Sequence, residues 1–162
     1  MANTEEFLQI GDPAPDFLLP STGDKEVSLD DFLGKYVVLY FYPKDNTPGC
    51  TTEACDFRNY HDEFKNLNAV ILGVSPDPLK SHEKFIDKYQ LPFLLLSDEK
   101  HQVAEKYGVW VMKKNYGREY LGIERSTFII DKEGKLLKAY RKVKVKGHVE
   151  TALDLIKSLE EK

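Results

Sequence analysis

Cysteine is scarce in this 162-residue chain, with two, and no stretch approaches the roughly 18 apolar residues of a membrane-spanning helix. Two cysteines cannot supply a structural disulfide framework, and at about 160 residues none is needed, because a domain of that length hides roughly two-thirds of its unfolded surface. Neither cysteine sits in a Cys-x-x-Cys pair, which argues against a dedicated disulfide reductase. Basic surplus is also missing. The formal net charge is -4, so phosphate backbones meet no attractive field and no nucleic-acid partner is expected. The N-terminal Met-Ala-Asn-Thr-Glu-Glu-Phe-Leu lacks the basic start and apolar core of a secretory signal, and its acids speak against a transit peptide. The reading is a cytoplasmic protein without a membrane partner. No internal repeat or Pro/Gly/Ser-rich linker interrupts the chain, so residues 1–162 read as one domain.

What is present is an alternation of apolar runs and amphipathic stretches. Tyr36–Tyr42 and Ala69–Ser75 are continuous apolar runs bounded by turn residues, the pattern of central strands covered on both faces. Thr51–Leu67, Leu79–Tyr89 and Val149–Leu159 carry apolar residues at helical spacing. Phe93–Ser97 reads as a further strand, and Ser126–Asp131 with Leu136–Tyr140 flank Lys132-Glu-Gly134 as a hairpin. The basic run Arg141–Lys146 alternates charge and valine like a strand with one solvated face, its lysines protecting a sheet edge. The fold class is α/β, a mixed central sheet flanked by helices. Strand 36–42, helix 51–67 and strand 69–75 make a right-handed β-α-β unit, which puts residues 43–50 at the carboxyl end of a central strand, where open α/β sheets bind ligands.

That loop reads Pro43-Lys-Asp-Asn-Thr-Pro-Gly-Cys50 and continues Thr51-Thr-Glu-Ala-Cys55. The two thiols are open to three readings: inert buried groups, metal ligands or redox chemistry. At the mouth of a helix the Cys50 sulfur meets unpaired N–H groups and the positive end of the helix dipole, which favour a thiolate, the nucleophilic form. On a helical wheel Cys50, Ala54, Phe57, His61 and Phe64 share one face, and Cys55 falls with Arg58, Asn59 and Asp62 on a polar one. Cys50 should therefore point inward, Cys55 toward solvent, and His61 should be a hydrogen-bonded inward residue. Residues five apart in a helix have Cα atoms roughly 8.7 Å apart, whereas a disulfide tolerates about 7 Å, so joining these two requires the helix to unwind. Cys55 lies on a different helix face from Cys50 and His61, so the three cannot close on one metal ion. Glu53 is read as a first-turn acid that favours the helix dipole. Its charge would oppose a thiolate three residues away unless an arginine, with Arg125 as the candidate, neutralises it.

Pro43-x-x-x-Thr47-x-x-Cys50 resembles the active-site signature of the peroxiredoxins, and Thr47-Pro-Gly-Cys50 with a second cysteine five residues on resembles the peroxiredoxin Q or bacterioferritin-comigratory-protein subfamily. Gly11–Phe17, Leu96–Asp98, Tyr107–Trp110 and Arg125–Asp131 are similar to that family in matching order, so the resemblance spans nearly the whole chain. It implies a thioredoxin-like fold and a thiol peroxidase that needs no cofactor or metal. Cys50 would be the peroxidatic cysteine, Thr47 a hydrogen-bond partner for thiolate and peroxide, and Pro43 a shield of the pocket. Arg125 would hold the thiolate and the peroxide oxygen through charge-assisted hydrogen bonds. Cys55 would resolve the Cys50 sulfenic acid to an intrachain disulfide, reduced in turn by thioredoxin or a similar dithiol. Hydrogen peroxide and organic hydroperoxides are both admissible substrates, and an intrachain cycle implies a monomer. Two other readings use the same cysteines: a redox-sensing binding protein switched by the disulfide, and general disulfide exchange, which has no need of Thr47 or Arg125.

Overall fold

The computed structural model describes residues 8–161; residues 1–7, on which the reading of the N-terminus rests, and residue 162 lie outside that range. Two short strands open it, β1 (Leu18–Ser21) and β2 (Lys25–Ser28), joined by a turn in which Gly23 and Asp24 both have positive φ. A 3-10 turn (Leu29–Phe32) precedes β3 (Tyr36–Phe41), whose six residues are all buried, as a continuous apolar run requires. There follow α1 (Pro48–Asn59), α2 (His61–Asn66), β4 (Ala69–Ser75), α3 (Leu79–Tyr89), β5 (Leu94–Ser97) and α4 (Gln102–Lys106). The chain ends with a separate hairpin of β6 (Trp110–Asn115) and β7 (Arg118–Ile123), then β8 (Ser126–Ile130), β9 (Leu136–Tyr140) and α5 (His148–Glu160).

Seven strands share one sheet in the order β2-β1-β5-β4-β3-β8-β9. β3 pairs parallel with β4 and β4 with β5, while β8, β9 and the β1–β2 hairpin join antiparallel, so the sheet is mixed, as expected. The two-residue period of β3 divides the core into two layers. Val37, Leu39 and Phe41 face a cluster with Phe17, Tyr107 and Phe128, whereas Val38 and Tyr40 face one with Phe57, Phe64, Phe93 and Ile156. Each such side chain contributes about 1.5–3 kcal/mol by leaving water. The second layer is dominated by rings; Tyr40 stacks on Phe57 with centroids 4.6 Å apart. Gly73 in β4 makes room for that stack. A Cβ there would lie 2.7 Å from Leu95 Cδ2 and 2.9 Å from Tyr40 Cζ, so any side chain would have to displace the ring that floors α1.

Three expectations need correction. The apolar periodicity over 51–67 predicts one helix, but the chain forms two, α1 and α2, with a break at Tyr60. Spacing is blind to it, because the Phe64 N–H still bonds the Tyr60 carbonyl and the apolar stripe continues through Phe57, Tyr60 and Phe64. The break turns His61 partly outward, 26% exposed and 3.9 Å from Asp62, rather than into the core. The basic run 141–146 is not a strand. β9 ends at Tyr140, and Lys142 adopts φ 50, a left-handed conformation that cannot continue a ladder.

Candidate active site

The loop after β3 is shaped by two local constraints. Asn46 takes a left-handed conformation at φ 60, a region asparagine tolerates better than most residues. Thr47 is extended, φ -96 and ψ 158, because Pro48 forbids it the helical region. Pro48 then occupies the first helical position, where its missing N–H costs nothing. The Thr51 N–H, bonded to the Thr47 carbonyl at 2.8 Å, begins the helical ladder, so Gly49 and Cys50 belong to the first turn, whose N–H groups have no acceptor within the helix. Cys50 therefore sits at the positive end of α1 and is only 2% exposed.

Over this turn lies Arg125, which joins β7 to β8 and comes from 75 residues away in sequence. Its Nη2 donates to the Cys50 sulfur at 3.3 Å and its Nη1 to Glu53 Oε1 at 2.7 Å. Gly49 is what lets the guanidinium approach; a Cβ there would meet Nη2 at 3.1 Å. Burial works against the Arg125 charge, but the Glu53 carboxylate and the Cys50 sulfur more than offset it, and its pKa rises.

Glu53 is the residue that sequence reasoning undervalued. Because α1 starts at Pro48, Glu53 lies in its second turn, and the helix has no acid in its first. Its side chain is 0% exposed, and Oε2 has no hydrogen-bond partner among the described residues. Burial raises its pKa to about 7, with Arg125 working in the opposite direction. The signal in the sequence was the tension between Glu53 and a thiolate, which Arg125 resolves as that tension required. What spacing could not reveal was burial, set by a partner 72 residues distant.

The other sequence candidates take the following places. Thr47 is partly exposed, and its hydroxyl donates to the Lys44 carbonyl at 2.8 Å rather than to Cys50. Pro43 is half-buried directly after β3. Cys55 lies on the other side of α1, partly exposed, and both cysteines are free thiols in one unbroken helix. Beside Arg125 opens a cleft of about 490 Å³, walled by Val111, Met112, Lys113 and Tyr120 of the β6–β7 hairpin. Lys113 was not singled out from the sequence. Burial and the neighbouring Arg125 charge lower its pKa, with the Cys50 sulfur opposing, so it feels the field of the site.

A mixed sheet with a buried cysteine at the first turn of the helix after its central strand defines the thioredoxin-like class, and the arginine over the sulfur places charged N–H donors beside it. Residues 10–139 match the model of the AhpC/TSA family. The curated relatives include "Peroxiredoxin Bcp" of Bacillus subtilis, 59% identical over 96% of this chain and 99% of that protein. "Peroxiredoxin Bcp" of Escherichia coli is 43% identical over 93% and 96%. Among solved structures, a cysteine-to-serine mutant of Xylella fastidiosa PrxQ superposes with a TM-score of 0.89 at 38% identity, covering 94% of this chain and 98% of that one. The bacterioferritin comigratory protein of Xanthomonas campestris, described with its alkyl peroxide reduction activity and trapped intermediate complexes, gives 0.86 at 42% identity, covering 93% and 96%. The chain belongs to the AhpC/TSA family and is a peroxidase of its Bcp and PrxQ branch.

Proposed function

We propose that the chain reduces hydrogen peroxide and organic hydroperoxides at Cys50, resolves the product with Cys55, and is recycled by thioredoxin or a similar dithiol. The observation that carries this reading is Arg125, which holds the Cys50 sulfur with one nitrogen and is anchored by Glu53 through another. The Cys50 thiolate attacks the terminal peroxide oxygen, the O–O bond breaks, and the departing oxygen takes a proton to leave as water or an alcohol. Cys50 is left as sulfenic acid. Charge moves onto peroxide oxygens in that step, and a fixed cation beside them is worth about 10²–10³ in rate, more than thiolate formation alone contributes. Thr47 accepts a hydrogen bond from the incoming peroxide, its own proton being committed to Lys44. Pro43 shields the sulfur, and the apolar wall of Val111, Met112 and Tyr120 suits an organic hydroperoxide.

The Cys55 thiol then attacks the sulfenic sulfur, forming the Cys50–Cys55 disulfide and releasing water. Neighbouring turns of α1 must open first, since residues five apart in a helix are roughly 8.7 Å apart. A dithiol returns both cysteines to thiols and leaves as its own disulfide. The cycle closes within one domain, so a cytoplasmic monomer suffices, without metal or cofactor.

Peroxide consumption coupled to thioredoxin and its reductase tests both cysteines. Cys50→Ser should abolish it, and retained activity overturns the assignment. Cys55→Ser should give one turnover of peroxide and then stop; sustained turnover removes Cys55 from the cycle.

A further inference from the structure

On the side of the active loop away from Arg125 lies a second buried polar cluster that the chemistry above does not use. The side chain of Asp45, five residues before Cys50, is 3% exposed. Its Oδ1 accepts from the Tyr42 hydroxyl at 2.6 Å, and its Oδ2 accepts from the Ser81 hydroxyl and from His82 Nδ1, both at 2.7 Å. Its backbone N–H donates to Asp77 Oδ2 at 2.8 Å, and Asp77 also accepts from the Ser75 hydroxyl at 2.7 Å. His82 is 0% exposed, and its other nitrogen, Nε2, faces the Leu96 carbonyl at 2.9 Å.

A carbonyl oxygen can only accept, so Nε2 carries a proton. The 2.7 Å contact between Nδ1 and Oδ2 needs another proton between them. The His82–Asp45 unit therefore carries one proton more than a neutral imidazole beside a carboxylate, and is electrically neutral as a whole, the form in which such a pair is buried at least expense. Burial raises the pKa of Tyr42 far above its ordinary value, which keeps that hydroxyl a donor. Asp45, Asp77 and His82 lie close enough to hold a cation, but the ligand atoms that would do so are already engaged in this network.

The network's position gives it a use. α3 supplies Ser81 and His82, β5 supplies the Leu96 carbonyl, and the loop supplies Tyr42 and Asp45, so three elements converge on the residue just before the left-handed Asn46 and the extended Thr47. Asn46 is itself held from α3 by the Tyr89 hydroxyl at 3.1 Å. We infer that Asp45 and His82 are positioning residues for peroxide reduction: their buried pair fixes the loop that presents Thr47 to the peroxide, while Cys50 itself is set by α1 and Arg125. The inference rests on the peroxidase reading above.

The test separates peroxide from other electrophiles. In rapid-mixing measurements on the reduced protein, Asp45→Asn and His82→Gln should lower the second-order rate constant with peroxide about tenfold to a hundredfold, the range a misplaced positioning group produces. Alkylation of Cys50 by iodoacetamide, which has no need of Thr47, should stay within about twofold of wild type on the same physical argument. Thr47→Val added to Asp45→Asn should cost less than it does in wild type, because both changes act on one interaction. A magnetic-resonance signature, two slowly exchanging ring N–H protons on His82, should accompany the intact network. Peroxide rates unchanged in the folded variants, equal losses with both electrophiles, additive double variants or a single ring N–H would each overturn the inference. If either variant fails to fold, Ser81→Ala, which removes one of three donors to Asp45, carries the same comparison on a smaller scale. Failure of the peroxidase reading would look different: wild type itself would not consume peroxide.

Discussion

Two buried polar clusters flank the same loop, and they are built on opposite plans. Around Asp45, each polar atom of the carboxylate and of His82 has a partner and the unit is neutral. Around Cys50, a guanidinium is shared between a sulfur and a carboxyl whose second oxygen has no partner among the described residues, and Glu53 is driven toward protonation by burial. A satisfied network holds a shape; an unsatisfied one stores an interaction that a ligand or a proton can complete. The contrast assigns rigidity to one side of the loop and reactivity to the other.

The largest test of that contrast is Arg125→Ala. It should lower the rate constant for peroxide with reduced Cys50 about 10²–10³-fold, measured by rapid mixing, whereas Asp45→Asn should stay below that loss. Next comes pH. Glu53 has a pKa near 7 in the folded chain against an ordinary 4.5, so the folded state holds its proton longer than the unfolded one. The stability this gives is present in full below 4.5 and is lost as pH rises through about 7, a difference of about 3 kcal/mol. In denaturant titrations of the reduced protein that fall is read as the difference between wild type and Glu53→Gln, because His148 opposes it over much of the same range. His148, lowered to about 4 by burial and then by Arg125, acts in the other sense: its contribution is present above 6.5 and lost as pH falls through about 4. Glu53→Gln protein should therefore gain stability between pH 4 and 6.5, and a curve that still falls across neutral pH would remove Glu53 as its source.

A smaller effect is expected at Gly49, where a methyl group would press on an arginine that two partners hold in place. Gly49→Ala should slow peroxide reduction about tenfold with little change in unfolding midpoint, the size of a modest misplacement. Smallest is Ser81→Ala, about 1 kcal/mol of stability from one lost hydrogen bond, read as a shift in denaturant midpoint. If Ser81→Ala proved costlier to the peroxide rate than Gly49→Ala, the division between holding and reacting sides would be wrong.

These two sides were unequally legible in the sequence. The strands β3, β4, β5, β8 and β9 are buried runs or hairpin partners, and their composition announces them. The β6–β7 hairpin was not seen, because most of its residues are exposed or half-exposed and so show no inside–outside contrast. Its turn, Tyr116-Gly117 with both φ positive, carries a tyrosine where asparagine is the usual signal. Cys50, Thr47 and Arg125 were singled out through the family resemblance of their segments. Asp45 and His82 were not, because their meaning arises from a contact across 37 residues that no local pattern encodes.

The same separation in sequence has a consequence in time. Cys50 and Arg125 are 75 residues apart, and at 5–20 residues per second the ribosome takes ~4–15 s to make that stretch. Through that interval the thiol exists without its guanidinium, and α1 without the antiparallel strand β8 that brings it. A growing chain is thus an ordinary cysteine peptide, and the reactive centre is switched on by the closing of the sheet.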